Sequence, residues 1–359
     1  MMFLTIFSQF LLYVSLALLM GTFVLYFVPE TIRPKIAVPA KWLIISAVIL
    51  PIVTFVPNIQ LLAILTPQFG LIESVGMLLM KFKVGHSWLV IVCFTIILLI
   101  ITRQFVKNSS KLMAVMAIFV LIAIMAAIGY ISHAGSMTGI IGSILDFVHL
   151  LAVSVWLGIL ILMSFFTKDA QKWEDFLKWF SPVALVAFTA VALTGVLMTD
   201  TIVPGYVTSW SSNYGQFLFI KHVLLVPLTV IILANSLLIK LKMNKPLFEP
   251  RTWVRIETIL LVLILFITAL YSEQQPPSFY VQEISPFFEL FYRSSIEAGM
   301  RGYLQMTGIG LGFFLLTALF IGLVIVSYIK QLPVVVSAAM TFALTLCFYM
   351  GFMSIVFFK

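Results

Sequence analysis

The chain is a succession of long apolar runs separated by short polar breaks. A helix needs about 20 mostly apolar residues to cross a bilayer. On that basis helices are expected over residues 3–28, 41–65, 86–101, 111–131, 138–166, 180–199, 214–239, 253–271, 303–329 and 334–358. Pro29 stops the first and Pro333 separates the last two, while Pro51 and Pro57 predict a kink or break in the second. Residues 66–84 are apolar but carry turn signals and end on Lys81 and Lys83, which predicts a short interfacial helix. Residues 276–301 are aromatic with regular charges and predict an extracytoplasmic surface segment with a second surface helix. The period-two alternation of a membrane β-barrel is absent. The fold class is therefore all-α: a polytopic transmembrane helical bundle of about ten spans, eight or nine at the lower count.

Composition agrees. The 359 residues are 62% hydrophobic and 9% charged, with mean hydropathy +1.18. Soluble domains carry about 25% charged residues, so this chain has too little charge to cover a water-facing surface. It reads as one integral membrane domain over residues 1–359, with no soluble domain. The first run lacks a basic leader and a small-residue cleavage site, so it reads as a membrane helix and not a signal peptide. Cys93 and Cys347 lie within apolar runs and form no disulfide or CxxC pattern.

The net charge of +8 reflects topology and not nucleic-acid binding. Fifteen of the 21 Lys and Arg residues fall in one alternate set of loops: Arg33, Lys35, Lys41; Arg103, Lys107, Lys111; Lys168, Lys172, Lys178; Lys240, Lys242, Lys245, Arg251, Arg255; and Lys330. The positive-inside rule makes those loops cytoplasmic and puts both termini outside. All four histidines, His86, His133, His149 and His222, then fall in the outer half of the bilayer or at its edge.

Ionisable residues inside hydrocarbon are costly and are functional candidates by default. The stretch from residue 131 to 158, ISHAGSMTGIIGSILDFVHLLAVSVWLG, holds His133, Asp146 and His149 in an apolar setting. Asp146 and His149 are three apart and share a helix face, with Trp156 further along it. Neutral imidazole binds copper, zinc and haem iron, and thioether sulfur suits Cu(I). Met137, four residues after His133, joins His133, His149, His222 and His86 as candidate metal ligands. Asp146 is the candidate to orient His149 and to form a buried ion pair with Lys221, which precedes His222. In a competing reading, Asp146, His149 and Lys221 only hold helices together. No nucleotide loop, HExxH or nucleophile elbow is present, and no enzymatic activity is expected.

These residues resemble a known family. SHAG followed by DFVHLLAVSVWLG, then FSPVALVAFTAVALTGVLMT, NYGQFLFIKHVLLVPLTVIILANSLL and RIETILLVLILFITALYSEQQPP, is similar to the core of the CopD family of copper resistance and copper uptake membrane proteins. The resemblance spans residues 131–277. It implies copper handling at a bacterial cytoplasmic membrane and supports His133, Asp146, His149, Trp156, Gly158, Tyr214, Gly215 and Lys221, with Trp156, Gly158, Tyr214 and Gly215 as helix-packing positions. It also implies a separate extracytoplasmic CopC-like partner, because no soluble segment here is large enough to be one. Where the family has a second glycine after tryptophan, this chain reads WLGIL.

Three functions follow as expectations. The first is copper transport, import favoured, through an outer-half His/Met/Asp site, with Cu(I) the favoured ion. The second is electron transfer on haem b, with His149 and His222 or His133 as axial ligands and Gly135, Gly139, Gly142 and Gly158 giving clearance. The third is a structural or assembly subunit of the membrane.

Overall fold

The computed structural model describes residues 2–168, 171–242, 250–272, 274–292, 294–330 and 332–359; the side chains of residues 2, 236–242, 250 and 334 are outside that description. Among the described residues the protein is mostly helical, and ten helices are long and apolar enough to cross a membrane. It is a multi-pass membrane protein. The chain divides into two compact units, residues 1–202 and 203–359.

The first unit holds α1 (Met2–Tyr26), α2 (Ala40–Phe69), α3 (Leu71–Lys81), α4 (Lys83–Asn108), α5 (Lys111–Tyr130), α6 (His133–Thr138), α7 (Ile140–Phe165) and α8 (Trp173–Ile202). Its central element is α7, which packs against α1, α5, α6 and α8. Every residue of α7 from Trp156 to Ser164 is buried, as are Leu16, Ala17, Leu19, Met20 and Phe23 of α1. Hydrophobicity does not hold two helices together in lipid, where the solvent is equally apolar; close packing does, and small residues permit it. A Cβ on Gly158 would lie 2.0 Å from the Ala17 carbonyl oxygen, and one on Gly21 would lie 2.3 Å from the Gly158 carbonyl carbon. The two backbones therefore touch where α1 crosses α7.

Two loops of this unit are tied by a short antiparallel bridge between Ile36 and Thr167. Ala37 N–H donates to Phe166 O at 3.0 Å and Lys168 N–H to Lys35 O at 2.9 Å. The loop before α2 is thereby held to the end of α7. The three prolines of α2, Pro51, Pro57 and Pro67, do not end that helix. The neighbouring α4 lends it a donor: Trp88 Nε1–H bonds Pro51 O at 2.8 Å.

The second unit holds α9 (Tyr206–Ser209), α10 (Asn213–Lys242), α11 (Pro250–Tyr271), α12 (Pro286–Glu289), β1 (Gly302–Leu304), α13 (Gly308–Lys330), α14 (Val334–Met353) and β2 (Val356–Phe358). Hydropathy alone extends the last two spans to Tyr303 and Phe358, but the helices stop at Gly308 and Met353. The residues beyond them pair as an antiparallel ribbon, with Tyr303 opposite Phe357. Aromatic and β-branched residues suit that pairing, and two packed antiparallel helices bring the start of one beside the end of the other. Thr307 Oγ1 closes the junction by donating to Ser354 O at 3.0 Å.

Between α11 and β1 the only regular structure among the described residues is the single turn α12. Its Phe288 is fully buried in an aromatic cluster with Trp210, Phe219, Tyr349, Met353 and Val356. Ser285 anchors the turn by donating to Asn213 Oδ1 at 2.7 Å.

The contact between α1 and α7 yields a direct test. Gly158→Ala should destabilise the protein by roughly 1–3 kcal/mol, the usual range for forced overpacking. Gly312→Ala and Gly322→Ala on α13, whose added Cβ meets nothing within 4 Å, should be neutral or slightly stabilising. Thermal unfolding in detergent compares the three; equal midpoints would refute the backbone contact.

Candidate functional site

In the first unit the SHAG residues form a small, tightly packed turn. Ser132 caps α6, its Oγ accepting from Gly135 N–H at 3.1 Å. A Cβ on Gly142 would lie 2.0 Å from Ala134 O, and one on Gly135 would lie 2.7 Å from Gly129 O. Gly139 separates α6 from α7 with φ of 66°, in the left-handed region that glycine tolerates. The break falls inside the helix expected over residues 138–166. It leaves His133 and Met137 on the short α6, both exposed, and Asp146 and His149 on α7, both half-buried.

His149 is oriented by α8. Its Nδ1 lies 2.9 Å from Thr194 Oγ1. The Thr194 hydroxyl has one proton, and the Ala190 carbonyl lies 2.6 Å from its oxygen. With that proton directed at the Ala190 carbonyl, the Thr194 oxygen accepts from His149 Nδ1–H; with it directed at Nδ1, the ring accepts. In the first arrangement the ring carries its proton on Nδ1 and its lone pair on Nε2, a form in which an imidazole binds a metal. Gly195 of α8 runs beside the ring; a Cβ there would sit 3.6 Å from His149 Cε1, in ordinary van der Waals contact. Further along α7, Trp156 is buried and meets Phe188 of α8 edge-on at 5.9 Å. His86 is exposed in the first turn of α4. Among the described residues no three His, Cys, Asp or Glu side chains are grouped closely enough to hold a metal ion.

The second unit positions His222 and Lys221 on α10. His222 Nδ1 lies 2.5 Å from the Tyr206 hydroxyl, with the two rings edge-to-face at 5.5 Å. Burial pushes the Tyr206 phenol up from its ordinary value, so it acts as a neutral hydroxyl. Lys221 Nζ donates to Tyr271 OH of α11 at 3.2 Å. Tyr214 stands edge-on to the same Tyr271 at 5.0 Å. Gly215 is required where it stands, because a Cβ there would fall 1.9 Å from Ser209 O. Asp146 belongs to the first unit and Lys221 to the second.

Three residues escaped the sequence reading. Thr194 and Tyr206 carry no signal of their own; each matters through a histidine distant in sequence. Glu257 had a signal, a carboxylate within the apolar run RIETILLVL. It is buried on α11 and accepts from Asn235 Nδ2 of α10 at 2.7 Å. Tyr328 OH of α13 donates in turn to Asn235 Oδ1 at 3.3 Å.

Comparison with known proteins locates a likeness in part of this framework. Residues 174–271 match the family model described as "Copper resistance protein D", CopD. A 97-residue segment is 31% identical to "Copper transport protein CutJ" of Bacillus subtilis (strain 168), covering 25% of this chain. The chain spans 18% of the length of that curated relative. No solved structure matches. The CopD match includes Thr194, His222 and Glu257, and it begins after His133, Asp146 and His149. From the base of α8 to the end of α11, the chain carries the sequence pattern of the copper resistance protein D family.

Proposed function

We propose that this protein carries copper across a bacterial cytoplasmic membrane, with import favoured. The observation that carries the reading is the bond between His149 and Thr194. A residue inside the CopD-matched segment lies 2.9 Å from His149 Nδ1 and, with its own proton directed at Ala190 O, holds the ring in the tautomer that presents Nε2. The names of the matched family and of the relative, copper resistance and copper transport, supply the metal.

His149 is the central ligand in this reading. His133 and Met137, exposed on α6, are entry ligands, and Asp146 orients the site. His222, held by Tyr206, and His86 are further ligand positions. Thioether and imidazole together favour Cu(I). The membrane potential favours inward movement of a cation by about 2.3 kcal/mol per charge per 100 mV. A separate extracytoplasmic copper-binding protein of the CopC kind is the natural donor to exposed His133.

In cells with matched expression, His149→Ala and His133→Ala should both reduce copper accumulation toward that of cells lacking the protein. Unchanged accumulation in both would refute the site. A Soret band in the purified protein would point to haem instead. Loss of stability without loss of accumulation would point to a structural subunit. Replacing Thr194 by Val, which cannot accept from Nδ1–H, should weaken copper binding roughly 10–100-fold, the usual effect of losing a ligand's hydrogen-bond partner. Thr194→Ser should retain it. Titration of purified variants with a competing Cu(I) chelator measures both, and equal affinity in Val and Ser would remove the orienting role.

A further inference from the structure

Buried polar atoms are nearly always bonded, and one that is not calls for an explanation. Gln216, near the start of α10, is 0% exposed. Its Nε2 gives both protons away, to Tyr349 OH at 2.7 Å and to Met353 Sδ at 3.9 Å, both on α14. Its Oε1 is buried and has no hydrogen-bond partner among the described residues. A bare buried acceptor costs about 1–3 kcal/mol. A leucine would fill the same space without that cost.

The carboxamide is held firmly. Ser212 Oγ accepts from Gly215 N–H at 3.1 Å, and Gln216 N–H bonds Ser212 O at 2.9 Å, so the backbone that carries Gln216 is fixed. The two bonds to α14 fix the side chain from the other side.

The surroundings are soft and aromatic. Met353 is buried in the cluster of Trp210, Phe219, Phe288 and Tyr349, and Met350, one turn before it on α14, packs against the same cluster. Trp210 and Phe219 stack at 4.1 Å, and Phe352 stands edge-on to both. Methionine often fills gaps in apolar cores, and that alone would account for two thioethers. It does not account for a bare amide oxygen on the carboxamide that Met353 touches.

A bound cation accounts for both. Thioether sulfur selects soft ions. Hard Mg²⁺ and Ca²⁺ take several oxygen ligands, and this set offers one. A low-dielectric aromatic setting makes each added charge costly, which favours a monovalent ion over a divalent one. Aromatic faces also attract cations.

We propose that Met350 Sδ, Met353 Sδ and Gln216 Oε1 form a binding site for one soft monovalent cation, built wholly from residues of the second unit. Naming that ion Cu(I) rests on the copper-transport reading; the donor set itself does not.

The test is a titration of the purified, reduced protein with Cu(I) against a competing chelator. Met350→Leu/Met353→Leu nearly conserves volume, and it should bind one Cu(I) fewer than wild type. X-ray absorption of the Cu(I)-loaded double variant should show a correspondingly smaller sulfur shell. Gln216→Leu removes the oxygen and should weaken binding of that ion roughly 10-fold or more. Equal stoichiometry and an equal sulfur shell in wild type and the double variant overturn the site, as does wild-type affinity in Gln216→Leu. If the double variant does not purify, the single variants Met350→Leu and Met353→Leu serve: each should weaken the same ion, and wild-type affinity in both overturns the site. If cells with the protein accumulate no more copper than cells without it, yet the double variant still binds one ion fewer, the transport reading fails and the site stands. If His149→Ala abolishes accumulation while the double variant binds as wild type does, the transport reading stands and the site falls.

Discussion

The first unit depends on the backbone contact between α1 and α7. In lipid, helices gain nothing from being apolar, so their association rests on van der Waals contact and on the few polar bonds between them. Gly21 and Gly158 bring α1 against α7 so closely that neither position admits a Cβ. That contact buries the second half of α7 completely, from Trp156 to Ser164. The first half is left to meet α5, α6 and α8, and it carries Asp146 and His149. One end of α7 acts as an anchor and the other presents chemistry.

Most hydroxyls in these helices are satisfied locally, by donating to a carbonyl one turn back, as Thr22, Thr54, Thr167 and Thr229 do. This is the usual solution for Ser and Thr in apolar helices. Thr194 follows it as well. When its only proton is used that way, its oxygen serves His149 as an acceptor. A common local habit thereby becomes a specific instruction to an imidazole two layers of sequence away.

Hydropathy was enough to read the ten spanning helices, because length and apolarity are properties of contiguous residues. Features that depend on distant residues were not legible. Gly21 and Gly158 are each an ordinary glycine until folding brings them together. The ribbon of β1 and β2 pairs residues that hydropathy assigns to two different helices. Gly139 could have marked the break between α6 and α7, but glycine is common in membrane helices and the apolar run continues through it. At the candidate site, His133, Met137, Asp146 and His149 stand out because polar or sulfur-bearing residues are sparse there. Glu257 did not stand out, since Arg251 and Arg255, six and two residues before it, make it look like the edge of a charged loop. Only Asn235 and Tyr328, from two other helices, reveal it as an interior group.

In the second unit α10 joins two kinds of chemistry. His222, bonded to Tyr206, and Asn235, bonded to Glu257, lie about 20 Å apart along its axis at 1.5 Å per residue. Between them stands Pro227, which has no N–H to give to the carbonyl of Val223 and so removes one rung of the helix ladder. A helix bends most readily at such a point. Asn235 reaches α11 through its 2.7 Å hydrogen bond to Glu257. The same helix thus holds His222, bonded to Tyr206, before Pro227 and Asn235, bonded to Glu257 of α11, after it.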